Sequence, residues 1–108
     1  MPLCYIHTNK KESDLKEGIE LRLAAGIAHI LSKPLERMII IIVPGVRLLR
    51  HESTSPACTL NINAIGVFDA ERNPTYSPAI KKLLQDELEL PAERCVIVYH
   101  DLDKNFLG

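Results

Sequence analysis

The sequence predicts an α/β (α+β) fold: two β–α–β repeats forming a four-stranded mixed sheet with two helices on one face. Three observations carry this. Short runs rich in isoleucine and valine alternate with longer stretches whose apolar residues recur at helical spacing. These elements come in the same order twice. A written pattern also recurs: Pro34-Leu35-Glu36-Arg37-Met38-Ile39-Ile40-Ile41 returns 57 residues later as Pro91-Ala92-Glu93-Arg94-Cys95-Val96-Ile97-Val98. The repeats cover about residues 1–50 and 57–108 of a single domain, residues 1–108, with right-handed crossovers.

Leu3 to Thr8 reads as a short strand, closed by the turn chemistry of Thr8-Asn9 and the charged stretch behind it. A helix follows from Ser13 or Asp14 to Leu31. Asp14 with Glu17 offers a capping box, and Leu15, Ile19, Leu23, Ile27, Ile30 and Leu31 share one face. Ser32-Lys33-Pro34 ends it, because a residue before proline is pushed out of helical backbone. Met38 to Val43 is a strand broken by Pro44-Gly45. In the second half, Cys58 to Phe68 is β-like with an interruption at Gly66, and Asp69 to Thr75 is a polar loop. Ser77-Pro78 starts a helix, serine as cap and proline in the first position, with Ile80, Leu83, Leu84 and Leu88 as its stripe. Pro91 closes it and Cys95 to Tyr99 is the last strand.

Two helices cover one face of such a sheet. Ile39 to Val43 and Cys95 to Tyr99 send apolar side chains to both faces, since successive residues alternate. Each large aliphatic side chain left in water forgoes roughly 1.5–3 kcal/mol. Several of them weigh heavily against a total stability of about 5–15 kcal/mol. Copies of the same chain are the simplest cover, so a closed oligomer is expected.

A net charge of −1 gives no electrostatic footprint for nucleic acid or an anionic membrane. No apolar run reaches spanning length, and the start lacks the layout of a signal peptide. Synthesis in the cytosol is expected, with release by a leaderless route left open. Cys4, Cys58 and Cys95 each lie in a β-like run and read as buried, reduced thiols. His7, His29, His51 and His100 have no metal-ligand spacing, and His51-Glu52 reads as a solvated turn.

The segment Met1-Pro2-Leu3 to Thr8-Asn9 resembles the macrophage migration inhibitory factor family, which includes D-dopachrome tautomerase. Ser32-Lys33-Pro34 with Arg37 is similar to that family's G-K-P helix end, Ser53-Thr54-Ser55-Pro56 to its S-[ST]-x-P turn, and Ala64-Ile65-Gly66 to its S-I-G strand end. The register holds from Met1 to Gly108, through Tyr99-His100-Asp101-Leu102. Arg37 and Gly66-Val67 sit closer to the dopachrome tautomerase branch.

The resemblance implies a homotrimer whose sheets wrap into a barrel. It also implies a keto–enol tautomerase for aromatic α-keto acids of the phenylpyruvate type or for dopachrome-like compounds, with Pro2 as catalytic base and no cofactor or metal. An α-amino group titrates near pKa 7.7–8.0, and an apolar pocket beside a cation lowers it, so Pro2 would be a base at neutral pH. Lys33, with Arg37, would hold the substrate carboxylate, and Ile65 would pack beside the proline and bind through its backbone. Met1 must first be removed, since it makes the Pro2 nitrogen an amide. Val96 and Val98 stand where the family often offers a tyrosine and an asparagine from the neighbouring subunit, which implies a more apolar pocket. His51-Glu52 replaces a glycine pair, and the C-x-x-C that would suggest thiol redox chemistry is absent. The chain stops at Gly108, where most members continue with a tail across the subunit boundary, so a more open site and a weaker trimer are expected. The alternative is a non-catalytic, cytokine-like ligand of a cell-surface receptor with a vestigial site.

Overall fold

The computed structural model describes residues 1–108. In chain order the main elements are β1 (Leu3–Thr8), α1 (Ile19–Leu31), β2 (Ile39–Val43), β3 (Cys58–Ala64), α2 (Asn73–Leu88) and β4 (Cys95–Asp101). They build one four-stranded sheet in the order β2-β1-β3-β4. β1 is parallel to β2 and β3 to β4, while the central pair β1 and β3 is antiparallel. Each β–α–β unit thus supplies a parallel pair, and the units join along β1 and β3. Alternate residues Cys4, Ile6, Leu60, Ile62 and Ala64 are buried with Ile19, Leu23, Ile27, Ile80, Leu84 and Leu88 of the helices. Gly26 lets the helices approach: a Cβ there would lie 2.6 Å from Leu83 Cδ2.

The repeat extends to the helix ends. Ser32 and Glu89, 57 residues apart, both adopt left-handed backbone, with φ of 54° and 56°. The Lys33 N–H then donates to the Ala28 carbonyl at 2.9 Å, and the Leu90 N–H to the Gln85 carbonyl at 3.2 Å. Both are the six-to-one closure of a Schellman turn. Short 3-10 turns follow at Leu35–Arg37 and Ala92–Arg94. The equivalence stops at the side chains: Lys33 is half-buried where Leu90 is core, and Arg37 is exposed where Arg94 is buried. The Arg94 guanidinium donates to the carbonyls of Arg50 and Ser55 at 2.7 Å and of Ser53 and Pro56 at 3.2 Å.

Both helix starts differ from expectation. Glu12–Asp14 is one 3-10 turn, Leu15 is extended, and α1 begins only after Gly18, whose φ of 77° interrupts the helical path. The Asp14–Glu17 capping box does not form. Leu15 still packs against the core, so it prolonged the apolar stripe without being helical. α2 starts earlier than Ser77, at Asn73, behind Asp69, whose Oδ1 accepts the N–H groups of Glu71 and Arg72. Ser77 is inside the helix and its hydroxyl donates to the Asn73 carbonyl at 3.2 Å. Pro78 is tolerated there because it and Pro74 are exposed, so water can reach the carbonyl that Pro78 leaves without its partner. β3 stops at Ala64 rather than Phe68, and β4 runs on to Asp101.

The face away from the helices is apolar at its rims. Ile39 and Ile41 are 39% exposed and Val98 is 41% exposed. Its centre is mixed: register puts Ile41, Tyr5, Asn61 and Val98 in one row and Val43, His7, Thr59 and Val96 in the next. Ile39–Val43 and Cys95–Tyr99 thus carry apolar side chains on both faces as expected, while the central strands bring polar ones to the open face.

Candidate active site

The site lies where β1 begins and β3 ends. The Pro2 ring is buried, on the helix side with Cys4 and Ile6, and its carbonyl accepts the Ile39 N–H at 3.0 Å. That bond continues the β1–β2 ladder back to the second residue and fixes Pro2 against the sheet. The Schellman turn places Lys33 just beyond α1, and its Nζ donates to the Ile65 carbonyl at 3.3 Å. Ile65 follows the last residue of β3 and is half-buried; Gly66 next to it turns the chain with φ of 69°. The terminal amine, here that of Met1, is held below its ordinary value by partial burial first, then by the positive charges of Lys33 and Arg37. Pro2, Lys33, Ile65 and Arg37 thus meet at one end of one sheet.

The turn after β3 is tethered residue by residue. The Ala64 carbonyl accepts the Leu102 N–H at 2.8 Å, and the Gly66 N–H donates to Asp101 Oδ1 at 3.4 Å. The Gly66 carbonyl accepts Arg72 Nη1 at 3.2 Å, and Arg72 Nε donates to Asp69 Oδ2 at 2.7 Å. Asp101 and Arg72 were not expected at the site. No spacing or periodicity marks them, because a turn joins them to Ile65.

Val96 and Val98 do not join Pro2 within one chain. They lie on the other rim strand, in register with Thr59 and Asn61, while Pro2 lies one residue before Leu3, the partner of Asn63. At about 3.3 Å per residue and 4.8 Å per strand, Val98 is roughly 14 Å and Val96 roughly 19 Å from Pro2. The side chains of Val96 and Val98 could reach a Pro2 site only across a boundary between copies.

The one sizeable concavity, about 310 Å³, is elsewhere: Glu12, Leu15, Lys16, Glu17 and Ile42 are among its walls, between the start of α1 and the end of β2. It is open and rimmed by carboxylates, and none of the four convergent residues lines it. Cys4 and Cys58 take no part either. Burial pushes Cys4 up to about 12, and a hydrogen bond to Cys95 with burial pushes Cys58 up, so both stay protonated.

Known proteins match this chain over its whole length. The chain is 40% identical to D-dopachrome decarboxylase of Mus musculus over 109 residues, covering 100% of this chain and 92% of the mouse protein. It is 32% identical over 108 residues to the MIF-like protein mif-2 of Caenorhabditis elegans, covering 100% of this chain and 90% of that protein. The macrophage migration inhibitory factor structure from Trichinella spiralis superposes with a TM-score of 0.93 at 26% identity, covering 98% of this chain and 94% of that one. The family model for macrophage migration inhibitory factor matches residues 1–108, end to end with the two-unit sheet that carries Pro2, Lys33 and Ile65, and the chain belongs to that family.

Proposed function

We propose that this protein is a keto–enol tautomerase for aromatic α-keto acids of the phenylpyruvate type or for dopachrome-like compounds, with the Pro2 ring nitrogen as base once Met1 is removed. The observation that carries this reading is the placement of the amino terminus, whose Met1 amine is held below the ordinary value by partial burial first and then by the nearby charges of Lys33 and Arg37. A deprotonated ring nitrogen takes a proton from the carbon next to the substrate carbonyl. The electron pair of that C–H bond forms the enol double bond, and the carbonyl oxygen picks up a proton from water. In reverse, the protonated ring nitrogen returns its proton to carbon. Lys33 and Arg37 hold the substrate carboxylate, and Ile65 packs beside the ring. The name of the mouse relative, D-dopachrome decarboxylase, fits a dopachrome-like substrate that carries a carboxylate.

The working unit in this reading is a homotrimer. Its support is the exposed rim of Ile39, Ile41, Val43 and Val98, and the placement of Val96 and Val98 on the edge remote from Pro2. Across the boundary those valines supply an apolar wall and no hydrogen bond. That feature favours the second reading, a cytokine-like ligand of a cell-surface receptor, made in the cytosol and released without a leader, whose chemistry is vestigial. Intact mass of the native protein together with a phenylpyruvate tautomerase assay separates the two. Loss of Met1 with turnover supports the enzyme; loss of Met1 without turnover leaves the ligand.

A further inference from the structure

We infer that Asp101 is a positioning residue for Lys33, acting through the single peptide group that joins Ile65 to Gly66. The inference rests on the tautomerase reading only for what Lys33 does to a substrate. The C=O and N–H of a trans peptide point in opposite directions from one rigid plane. Here the C=O of Ile65 accepts the Lys33 ammonium at 3.3 Å, and the N–H of Gly66 faces the Asp101 carboxylate at 3.4 Å. A positive charge at the oxygen end and a negative charge at the hydrogen end both favour this one orientation, and they polarise the amide between them. Turning the plane over would set oxygen against carboxylate and hydrogen against ammonium.

The peptide needs such a hold. Gly66 has no Cβ, its φ is 69°, and beyond the glycine and its two chain neighbours no atom lies within 4 Å of where a Cβ would stand. Glycine backbone in open space turns freely, so local sterics do not set the plane. The fold puts Asp101 beside it: Asp101 ends β4 in register with Ala64, and the next residue, Leu102, bonds back to the Ala64 carbonyl at 2.8 Å. Arg72 closes the set by holding the following carbonyl, that of Gly66, and is itself braced by Asp69. Without Asp101 the Ile65 carbonyl is free to swing, and the Lys33 ammonium loses its fixed anchor. Substrates gripped by their carboxylate suffer; those without one do not.

The test uses the Met1-trimmed protein with phenylpyruvate and its methyl ester. In Asp101→Ala, KM for the acid should rise roughly three- to tenfold, while kcat and the ester KM stay within about twofold. Asp101→Asn keeps an acceptor oxygen and should fall between, which also covers the case of an alanine variant that folds poorly. Hydrogen exchange at the Gly66 amide should quicken at least about tenfold in Asp101→Ala. Equal KM changes for acid and ester, no KM change, or unchanged Gly66 exchange would each overturn the inference. A wild-type protein that turns over neither compound removes the tautomerase reading instead. The nitrogen resonance of the Lys33 ammonium then decides: a shift in Asp101→Ala upholds the positioning, and an unmoved signal refutes it.

Discussion

Arg94→Ala should destabilise this protein by about 3 kcal/mol. The guanidinium is 7% exposed and its partners are four carbonyls, with no carboxylate among them. Hydrogen bonds from a charged donor contribute about 1.5–3 kcal/mol each. Only the two 2.7 Å bonds, to Arg50 and Ser55, are counted here, at the low end. The bonds to Ser53 and Pro56 are longer, at 3.2 Å, and are left out of the sum. For a domain near 100 residues, 1 kcal/mol moves Tm by about 4–8 °C, so a drop of roughly 12–24 °C is expected. Thermal unfolding followed by circular dichroism reads it, at one fixed protein concentration because an oligomer's Tm depends on concentration. Arg94→Lys keeps the charge but not the planar fork, and should lose about half as much. A loss under about 0.5 kcal/mol in Arg94→Ala would refute the reasoning, because the loop from Arg50 to Pro56 would then hold itself.

Lys33→Ala should lower kcat/KM for a keto acid by roughly 10- to 100-fold, with Tm nearly unchanged. A lower Tm with unchanged kinetics would confine Lys33 to the helix end. Ser32→Gly should stabilise by about 0.5–1 kcal/mol in chemical denaturation, because serine pays a steric penalty at this left-handed position that glycine does not; a destabilised variant contradicts this. Wild-type protein at micromolar concentration should sediment well above the mass of one chain, and Ile41→Asp should shift it toward lower mass or insolubility. A wild-type protein that is a stable, soluble monomer would sink the argument from the exposed rim.

The sheet was legible because β-branched runs allow little else, and the pattern from Pro34 and Pro91 marked the same turn twice. The helix starts were not. Leu15 kept the helical spacing from an extended backbone, and Ser77-Pro78 read as a cap and first helical position although both lie inside α2, which already begins at Asn73. The letters also made Arg37 and Arg94 equivalent. They part because the loop from Arg50 to Pro56 folds over one, while the other stays exposed near the amino terminus. Pro2, Lys33 and Ile65 could be named through the family resemblance, and the structure brings them together. Asp101 and Arg72 could not, since each meets the site only through a backbone group of Gly66. The mixed centre of the open face was hidden too, because the run Ile39–Val43 drew attention while Asn61 and Asn63 sit two strands away.

The central claim is that the Pro2 nitrogen is the base. The most direct test inserts one alanine between Met1 and Pro2 and compares phenylpyruvate turnover with that of the Met1-trimmed protein across pH. The trimmed protein should be active, with a rate that rises with pH through a pKa below that of an ordinary α-amine. The sign follows from the surroundings that hold the Met1 amine low, namely burial, Lys33 and Arg37: around a freed Pro2 nitrogen they would disfavour the protonated ring and populate the free base at lower pH. The insertion turns that nitrogen into an amide, so turnover should vanish while circular dichroism and sedimentation stay those of the parent. An insertion variant that turns over phenylpyruvate as fast as the trimmed protein would show that Pro2 is not the base.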